Sequence, residues 1–264
     1  MIKAITSLQN PLIKQAALLL QKKHRKEQNA FLLEGLKNIY EAACSGFIIK
    51  SIFFVQAAFK ENEQVLLEEI LHKQNIELFD VTQEIIKKLS DTKTPQPIVA
   101  FLQGFSYDLS AIDLALDNPF ILVLDGINNP GNLGTIIRTA DAVGIQGVIL
   151  NKNCADLLAP KTLRSTMGSV FHLPVIADCE DKKIVTWLKE NSFQIAASAI
   201  DAKLTMQEAD FSQRMAIVMG SEAHGISNYF SQNADFHVAI PMKGKAESLN
   251  VAIATALLLY NARS

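Results

Sequence analysis

Five stretches in the second half of the chain, 120–124, 147–150, 195–199, 215–219 and 236–240, are apolar with almost no alternating polar positions. A strand with one face in water alternates, whereas a strand covered by helices on both faces is apolar throughout. Helical patterns lie between the stretches, and the last places Leu249, Ala252, Ile253, Ala256, Leu257 and Tyr260 on one stripe. The combination predicts an α/β fold with a mostly parallel sheet and helices on both faces. A chain of 264 residues can bury roughly three quarters of its unfolded surface.

The first hundred residues read as a separate, smaller α/β module. A helix is predicted from Pro11 to Lys23, with Leu12, Ala16, Leu19 and Leu20 on its apolar stripe. Strands are predicted at 31–33, 48–55, 76–81 and 98–103, with helices at 35–43, 62–73 and 82–89. The expected organisation is a small α/β domain at 1–106, a linker at 107–118 and a larger domain at 119–264. The spacing admits a short helix near Ser110 to Leu116 inside the linker.

Composition narrows the function classes. Apolar residues make up 49% and charged residues 20%, which excludes a disordered chain. Cys44, Cys154 and Cys179 are scattered, as in a reducing compartment, and form neither a disulfide framework nor a zinc spacing. Met1-Ile2-Lys3-Ala4 begins no long apolar stretch with a cleavage site, so a signal peptide is not expected, and no run approaches the 18 apolar residues of a membrane span. The expectation is a soluble, cytoplasmic protein without a metal. Net charge is −2, but residues 1–26 carry Lys3, Lys14, Lys22, Lys23, Arg25 and Lys26 without an acid. Residues 1–106 hold 13 basic and 11 acidic side chains, and the remainder 12 and 16. A basic arm on a mildly acidic body fits a polyanion bound at one end, or a solvated lysine-rich helix face.

Ligands of open α/β sheets bind in the loops at the carboxyl ends of the strands. Three loops here have that character. The first, Asn128-Asn129-Pro130-Gly131-Asn132-Leu133-Gly134, follows a strand ending at Asp125. Asn132 is a good N-cap for a helix from Leu133 to about Val143. Arg138, buried at the base of the crevice, can hold a phosphate or carboxylate bidentately. In the second loop, Gly220-Ser221-Glu222-Ala223-His224-Gly225, Glu222 can accept a hydrogen bond from a ligand or orient Arg138. His224 invites a general-base reading, although a lone loop histidine is more often structural. The third loop joins Ile240-Pro241-Met242 through Lys243-Gly244-Lys245-Ala246-Glu247 to Ser248-Leu249-Asn250. Ser248 can cap the last helix, and Asn250 can point its carboxamide into the crevice. Each loop taken alone also has a plain reading as a turn and cap. Neither a Walker-type run nor a Gly-x-Gly-x-x-Gly element is present, and no His/Cys/Asp cluster has metal-ligand spacing.

Taken together and in order, the three segments resemble the motifs of the SpoU/TrmH branch of the SPOUT RNA methyltransferases. They run from Asn129-Pro130-Gly131-Asn132 to Arg138, from Ile217 to Ile226, and from Ile240-Pro241-Met242 to Glu247-Ser248-Leu249-Asn250-Val251-Ala252. The N-terminal part is similar to the ribosomal-protein-like substrate-binding domain of such enzymes. The similarity lies in residues 7–14, 22–26, 31–42 (with Glu34-Gly35) and Thr94-Pro95-Gln96. The resemblance implies a deep trefoil knot in the C-terminal domain and S-adenosyl-L-methionine as cofactor, held by backbone groups of Gly220, Ile240, Met242 and Leu249. It implies a homodimer built through the knot domain and methyl transfer to a ribose 2′-oxygen of structured RNA, ribosomal RNA first. Arg138 would activate that oxygen, as a base or as an electrostatic clamp, while Asn132, Glu222, Ser248 and Asn250 position it. Lys22, Lys23, Arg25 and Lys26 would contact RNA phosphates. The alternatives are a transfer-RNA enzyme of the same chemistry and a non-catalytic RNA-binding or ribosome-assembly protein.

Overall fold

Short apolar runs alternate with helix-forming segments along the described residues, and these become strands and helices in turn. The computed structural model describes residues 2–116 and 118–263. It divides into two packed units, one formed by Met1–Phe105 with Asp156–His172 and the other by Ser106–Ala155 with Leu173–Ser264.

The first unit contains β1 (Ile2–Ile5), α1 (Pro11–Leu18), α2 (Lys22–Gln28), β2 (Ala30–Glu34), α3 (Leu36–Cys44), β3 (Ile49–Phe54), α4 (Glu61–Lys73), β4 (Glu77–Val81), α5 (Gln83–Lys88) and β5 (Ile98–Gln103). Its sheet has the order β1-β4-β3-β5-β2. β1, β4 and β3 run parallel, and β5 is antiparallel to both β3 and β2. The helix expected from Pro11 to Lys23 is two helices. Leu19 and Leu20 N–H groups turn back to the carbonyls of Ala16 and Ala17, which ends α1 with Leu19 buried. α2 then restarts and turns Arg25 inward, and it stops at Asn29 in the left-handed region (φ 43). β1 was not anticipated, because it is an edge strand whose first three residues are exposed.

The second unit contains β6 (Phe120–Asp125), α6 (Pro130–Val143) and β7 (Gly147–Asn151), after which the chain departs. The departing segment carries α7 (Pro160–Thr166) and packs into the first unit, with Thr162, Leu163 and Thr166 buried. The chain returns with β8 (Val175–Cys179), α8 (Asp181–Glu190), β9 (Gln194–Ser198), β10 (Leu204–Thr205), β11 (Met215–Gly220), α9 (Asn228–Asn233), β12 (Phe236–Ala239) and α10 (Val251–Ala262). The sheet is parallel throughout, in the order β10-β12-β9-β11-β6-β7-β8. Every residue of β6 and β7 is buried, as their unbroken apolar runs require. β8 and β10 are edge strands without such runs, and β8 exposes Ala177 and Asp178, the latter at φ 58. In place of the short helix at 110–116 there is a single turn at Leu109–Ala111, capped by the Asp108 carboxylate. It sets Leu109 and Ile112 into the core with Ile121, Val123 and Ile149.

The chain moves outward through β6, β7 and β8, then crosses to the other side, where β11 lies between β6 and β9. Loops diverge at such a reversal and leave a crevice at the carboxyl ends of the strands. A buried carboxylate governs this end of the sheet. Asp125 accepts hydrogen bonds from Asn151 Nδ2 (2.6 Å) and from the Ser227 N–H (2.6 Å). Asn151, 1% exposed, uses its Oδ1 to accept from the N–H groups of Gly126 (3.0 Å) and Asn153 (3.2 Å). The loops after β6, β7 and β11 are therefore fastened together. Among the described residues no helix is long and apolar enough to cross a membrane. Asn151→Ala removes one partner of a buried charge and strands two backbone donors, so it is expected to cost about 3 kcal/mol, read as a lower urea midpoint at unchanged slope.

Candidate functional site

The first site loop is set by proline. Pro130 occupies the first position of α6, where its fixed φ suits a helix start, so the cap falls on Asn129. Asn129 Oδ1 accepts from the N–H groups of Gly131 (2.9 Å) and Asn132 (3.4 Å). Asn132, expected as the cap, instead lies in the first turn with its carboxamide free to reach outward. Arg138 is further along α6 and exposed, not buried as expected. Among the described residues no hydrogen bond or ion pair holds it.

The second loop depends on close backbone packing. A Cβ on Gly220 would lie 2.0 Å from the carbonyl carbon of Gly225, so no larger residue fits there. Ser221 and Gly225 exchange two backbone hydrogen bonds, at 3.0 and 2.8 Å, and Gly225 takes φ +64. The tight fold-back presents Glu222. One oxygen of that carboxylate, Oε1, accepts from Asn132 Nδ2 (2.7 Å), Asn250 Nδ2 (2.8 Å) and the Val251 N–H (3.4 Å). Glu222 therefore binds the other two loops and the positive end of α10, not Arg138.

In the third loop the cap of α10 is Asn250, whose Oδ1 accepts from the Ala252 N–H (3.0 Å). Its Nδ2 also donates to Asn132 Oδ1 (3.3 Å). Ser248, expected as the cap, lies two residues upstream and faces the adjoining cavity. The cavity, about 810 Å³, is formed by the loops that follow β9, β11 and β12. Gly220, Ile240, Met242 and Leu249 all line it, together with Glu222 and Ser248. Asn132 and Asn250 join it through Glu222, and Arg138 does not line it.

Two parts of the cavity wall were missed from the sequence. One is the end of β9 at Ser198 with the loop after it, including Asp201 and Lys203; the other is the pair Ser231 and His237, which share a hydrogen bond at 2.9 Å. The β9 loop follows an apolar run at the same sheet end as the recognised loops, and that was the available signal. Ser231 is on α9 and His237 within β12, where no local pattern marks a wall.

Beneath the loops, Cys154 donates from its thiol to the Leu124 carbonyl (3.2 Å). Burial pushes its pKa up to about 11, against the lowering effect of nearby backbone N–H groups, so it stays a thiol and is no nucleophile. Among the described residues no group of three or more His, Cys, Asp or Glu side chains could hold a metal ion. In the first unit, Lys22, Lys23 and Lys26 are exposed on α2. Arg25 is 6% exposed and paired with Asp156 at 2.5 Å, so it is unavailable to a phosphate, contrary to the sequence expectation.

Comparison with known proteins gives two family matches. Residues 119–260 match the SpoU rRNA Methylase family, and residues 10–100 match the MRM3-like substrate binding domain. The chain is 36% identical to an uncharacterized tRNA/rRNA methyltransferase of Synechocystis sp. over 99% of this chain and 94% of that protein. It is 32% identical to the 23S rRNA (guanosine(2553)-2′-O)-methyltransferase RlmP of Bacillus subtilis, over 99% of this chain and all of that protein. Among solved structures, the AdoMet-bound rRNA methyltransferase from Sinorhizobium meliloti superposes with a TM-score of 0.89 at 32% identity, covering 99% and 97% of the two chains.

The cap assignment yields a paired test. Asn250→Ala is expected to cost about 1 kcal/mol of stability, whereas Ser248→Ala stays within about 0.5 kcal/mol. Thermal melts of the two variants side by side read the difference.

Proposed function

Because the chain belongs to the SpoU rRNA Methylase family, we propose that it transfers a methyl group from S-adenosyl-L-methionine to a ribose 2′-hydroxyl of RNA, with ribosomal RNA as substrate. The observation that carries this reading is the convergence of Asn132, Glu222 and Asn250 beside a cavity lined by Gly220, Ile240, Met242 and Leu249. The full-length match to a 23S rRNA 2′-O-methyltransferase supports the choice of RNA, as does the match of residues 10–100 to a substrate-binding domain.

The cavity suits the cofactor. Its apolar wall of Met219, Ile226, Ile240 and Met242 can take an adenine. The carboxylates Asp201, Glu222 and Glu247 outnumber the one lysine, Lys203, and that balance favours a cationic sulfonium. When bound, S-adenosyl-L-methionine supplies the methyl group as an electrophile on that sulfonium. Glu222 contributes by fixing Asn132, Asn250 and the start of α10 in one arrangement, so the polar groups at the mouth need not reorganise. Arg138 works through charge, because a guanidinium is a poor proton acceptor. Exposed on α6, it can clamp an RNA phosphate bidentately and stabilise negative charge developing on the ribose oxygen.

The same reading includes a homodimer, a cytoplasmic setting shared with RNA, and the trefoil knot implied for the C-terminal segment. α10 supports the dimer. It buries Val251, Ala252, Thr255, Leu258 and Leu259 on one face, yet exposes Ile253, Leu257 and Tyr260 at i, i+4 and i+7 on another. A second apolar stripe of that kind calls for a partner surface.

Incubation with radiolabelled S-adenosyl-L-methionine and unmodified total RNA, followed by digestion, is expected to yield labelled 2′-O-methylnucleoside from the ribosomal fraction. Label in the transfer-RNA fraction would change the substrate, and label on a base would overturn the reaction. Arg138→Ala is expected to lower the transfer rate at least 100-fold, about the lower end for one transition-state contact, while calorimetry shows cofactor affinity within about threefold. Lys22→Ala with Lys23→Ala should reduce the slope of log affinity for RNA against log salt by about one for each phosphate no longer neutralised.

A further inference from the structure

We propose that Arg25 and Arg164 are positioning residues: their ion pairs fasten the segment Asp156–His172 into the RNA-binding unit, and methyl transfer to bound RNA depends on that hold. The inference rests on the functional reading above and extends it to residues outside the site.

Asp156–His172 falls inside the stretch matched to the SpoU rRNA Methylase family, yet its packing belongs to the first unit. Three kinds of interaction hold it there. Arg25 donates from Nη2 to Asp156 Oδ2 (2.5 Å) and from Nη1 to the Leu19 carbonyl (2.7 Å). A cation this deeply buried is tolerated only when paired, so its position in a lysine-rich helix serves the segment and not a phosphate. Asp156 uses its second oxygen to accept from the Leu158 N–H (3.1 Å), and its carbonyl accepts from Thr162 Oγ1 (2.9 Å). One residue thus takes the ion pair and shapes the turn into α7.

The second interaction is that of Arg164 on α7, 2.5 Å from Asp91 and 3.7 Å from Glu34. Glu34 is itself buried and accepts from Ser90 Oγ (2.5 Å) and the Gln96 N–H (3.0 Å). Glu34 and Gln96, which lie in stretches similar to a family substrate-binding domain, are therefore bonded to each other beside an arginine of this same chain. The third interaction is steric. A Cβ on Gly168 would lie 2.7 Å from Glu41 Cγ, and Phe171 packs edge-on against Phe47 with centroids 4.8 Å apart.

The covalent path out of this anchor is short. The residue before Asp156 is Ala155, whose N–H donates to the Ile127 carbonyl (2.9 Å) in the loop that leads to Asn129 and Asn132. At its other end, the ion pair's Arg25 shares α2 with Lys22 and Lys23. Along the chain, the anchored segment thus adjoins a residue bonded to the loop that presents Asn132, while its arginine partner shares a helix with residues read as touching RNA. Continuity of this kind motivates a coupling but does not measure it, so the test measures it directly.

Arg25→Met and Asp156→Asn would be compared with wild type. The readouts are amide hydrogen exchange across 157–172, calorimetric binding of S-adenosyl-L-methionine, salt-dependent RNA binding, and single-turnover methyl transfer at saturating RNA. Both variants are expected to exchange at least tenfold faster in the segment and to bind the cofactor within twofold of wild type. Both should keep the wild-type salt slope and transfer methyl at least tenfold more slowly. Should Arg25→Met fail to fold, Asp156→Asn carries the test, since it removes the charge without removing volume or a cation. A salt slope reduced by about one in Arg25→Met alone would make Arg25 a phosphate contact and overturn the proposal. Unchanged exchange, or a loosened segment with full transfer rate, would overturn it as well. A wild type that methylates no RNA would sink the functional reading, while exchange alone would still decide whether the pair holds the segment.

Discussion

One buried carboxylate organises the carboxyl end of the large sheet. Asp125 lies at the last position of β6, where hydrophobic packing on both faces leaves it no water. A charge in that place must be satisfied by the protein, and Asn151 and the Ser227 backbone do so. Because these partners are the last residue of β7 and the last residue of the loop after β11, satisfying the charge also fixes the start of the one loop and the end of the other. The crevice at the strand reversal follows from sheet topology, but its definite shape follows from this network.

Glu222 repeats the logic at the mouth of the cavity, where it is exposed. Three donors from two other loops meet a single carboxylate oxygen. Gly220 is a glycine because backbone passes backbone there without room for a Cβ, whereas Gly225 has open space around it and takes φ +64, the left-handed region that favours glycine. The second loop motif can thus be understood as the means of delivering one acceptor to the start of α10. Arg138 remains outside this cluster and exposed.

The first unit shows how charge in a sequence divides between two jobs. Lys22, Lys23 and Lys26 project outward from α2, whereas Arg25, on the same short helix, turns inward to Asp156. Helical geometry permits the split from Lys23 and Lys26, which lie two positions before and one after Arg25 and so off its face. Arginine rather than lysine at the inward position suits the task, because its fork can donate to the Asp156 carboxylate and the Leu19 carbonyl together.

Much of the architecture was legible in the sequence by itself. Unbroken apolar runs announced the buried parallel strands, and glycine, asparagine and proline marked three loops that the structure bonds together through Glu222, because those signals are local and physical. The edge strands β1, β8 and β10 were not legible, since partial exposure erases the pattern that marks a buried strand. The caps were misplaced by a few residues, because Asn132 and Asn129, or Ser248 and Asn250, are equally good cap formers; Pro130 and the reach to Glu222 decided between them. Only the tertiary structure turned Arg25 from an RNA contact into a buried anchor and moved 156–172 into the first unit. Those outcomes depend on partners about 130 positions away in the chain, and the pairing of distant charges leaves no periodicity to read. The sequence alone determined the buried strands, most of the helices and three of the loops at the carboxyl end of the sheet; burial and long-range pairing decided the edge strands and which polar side chains bind one another.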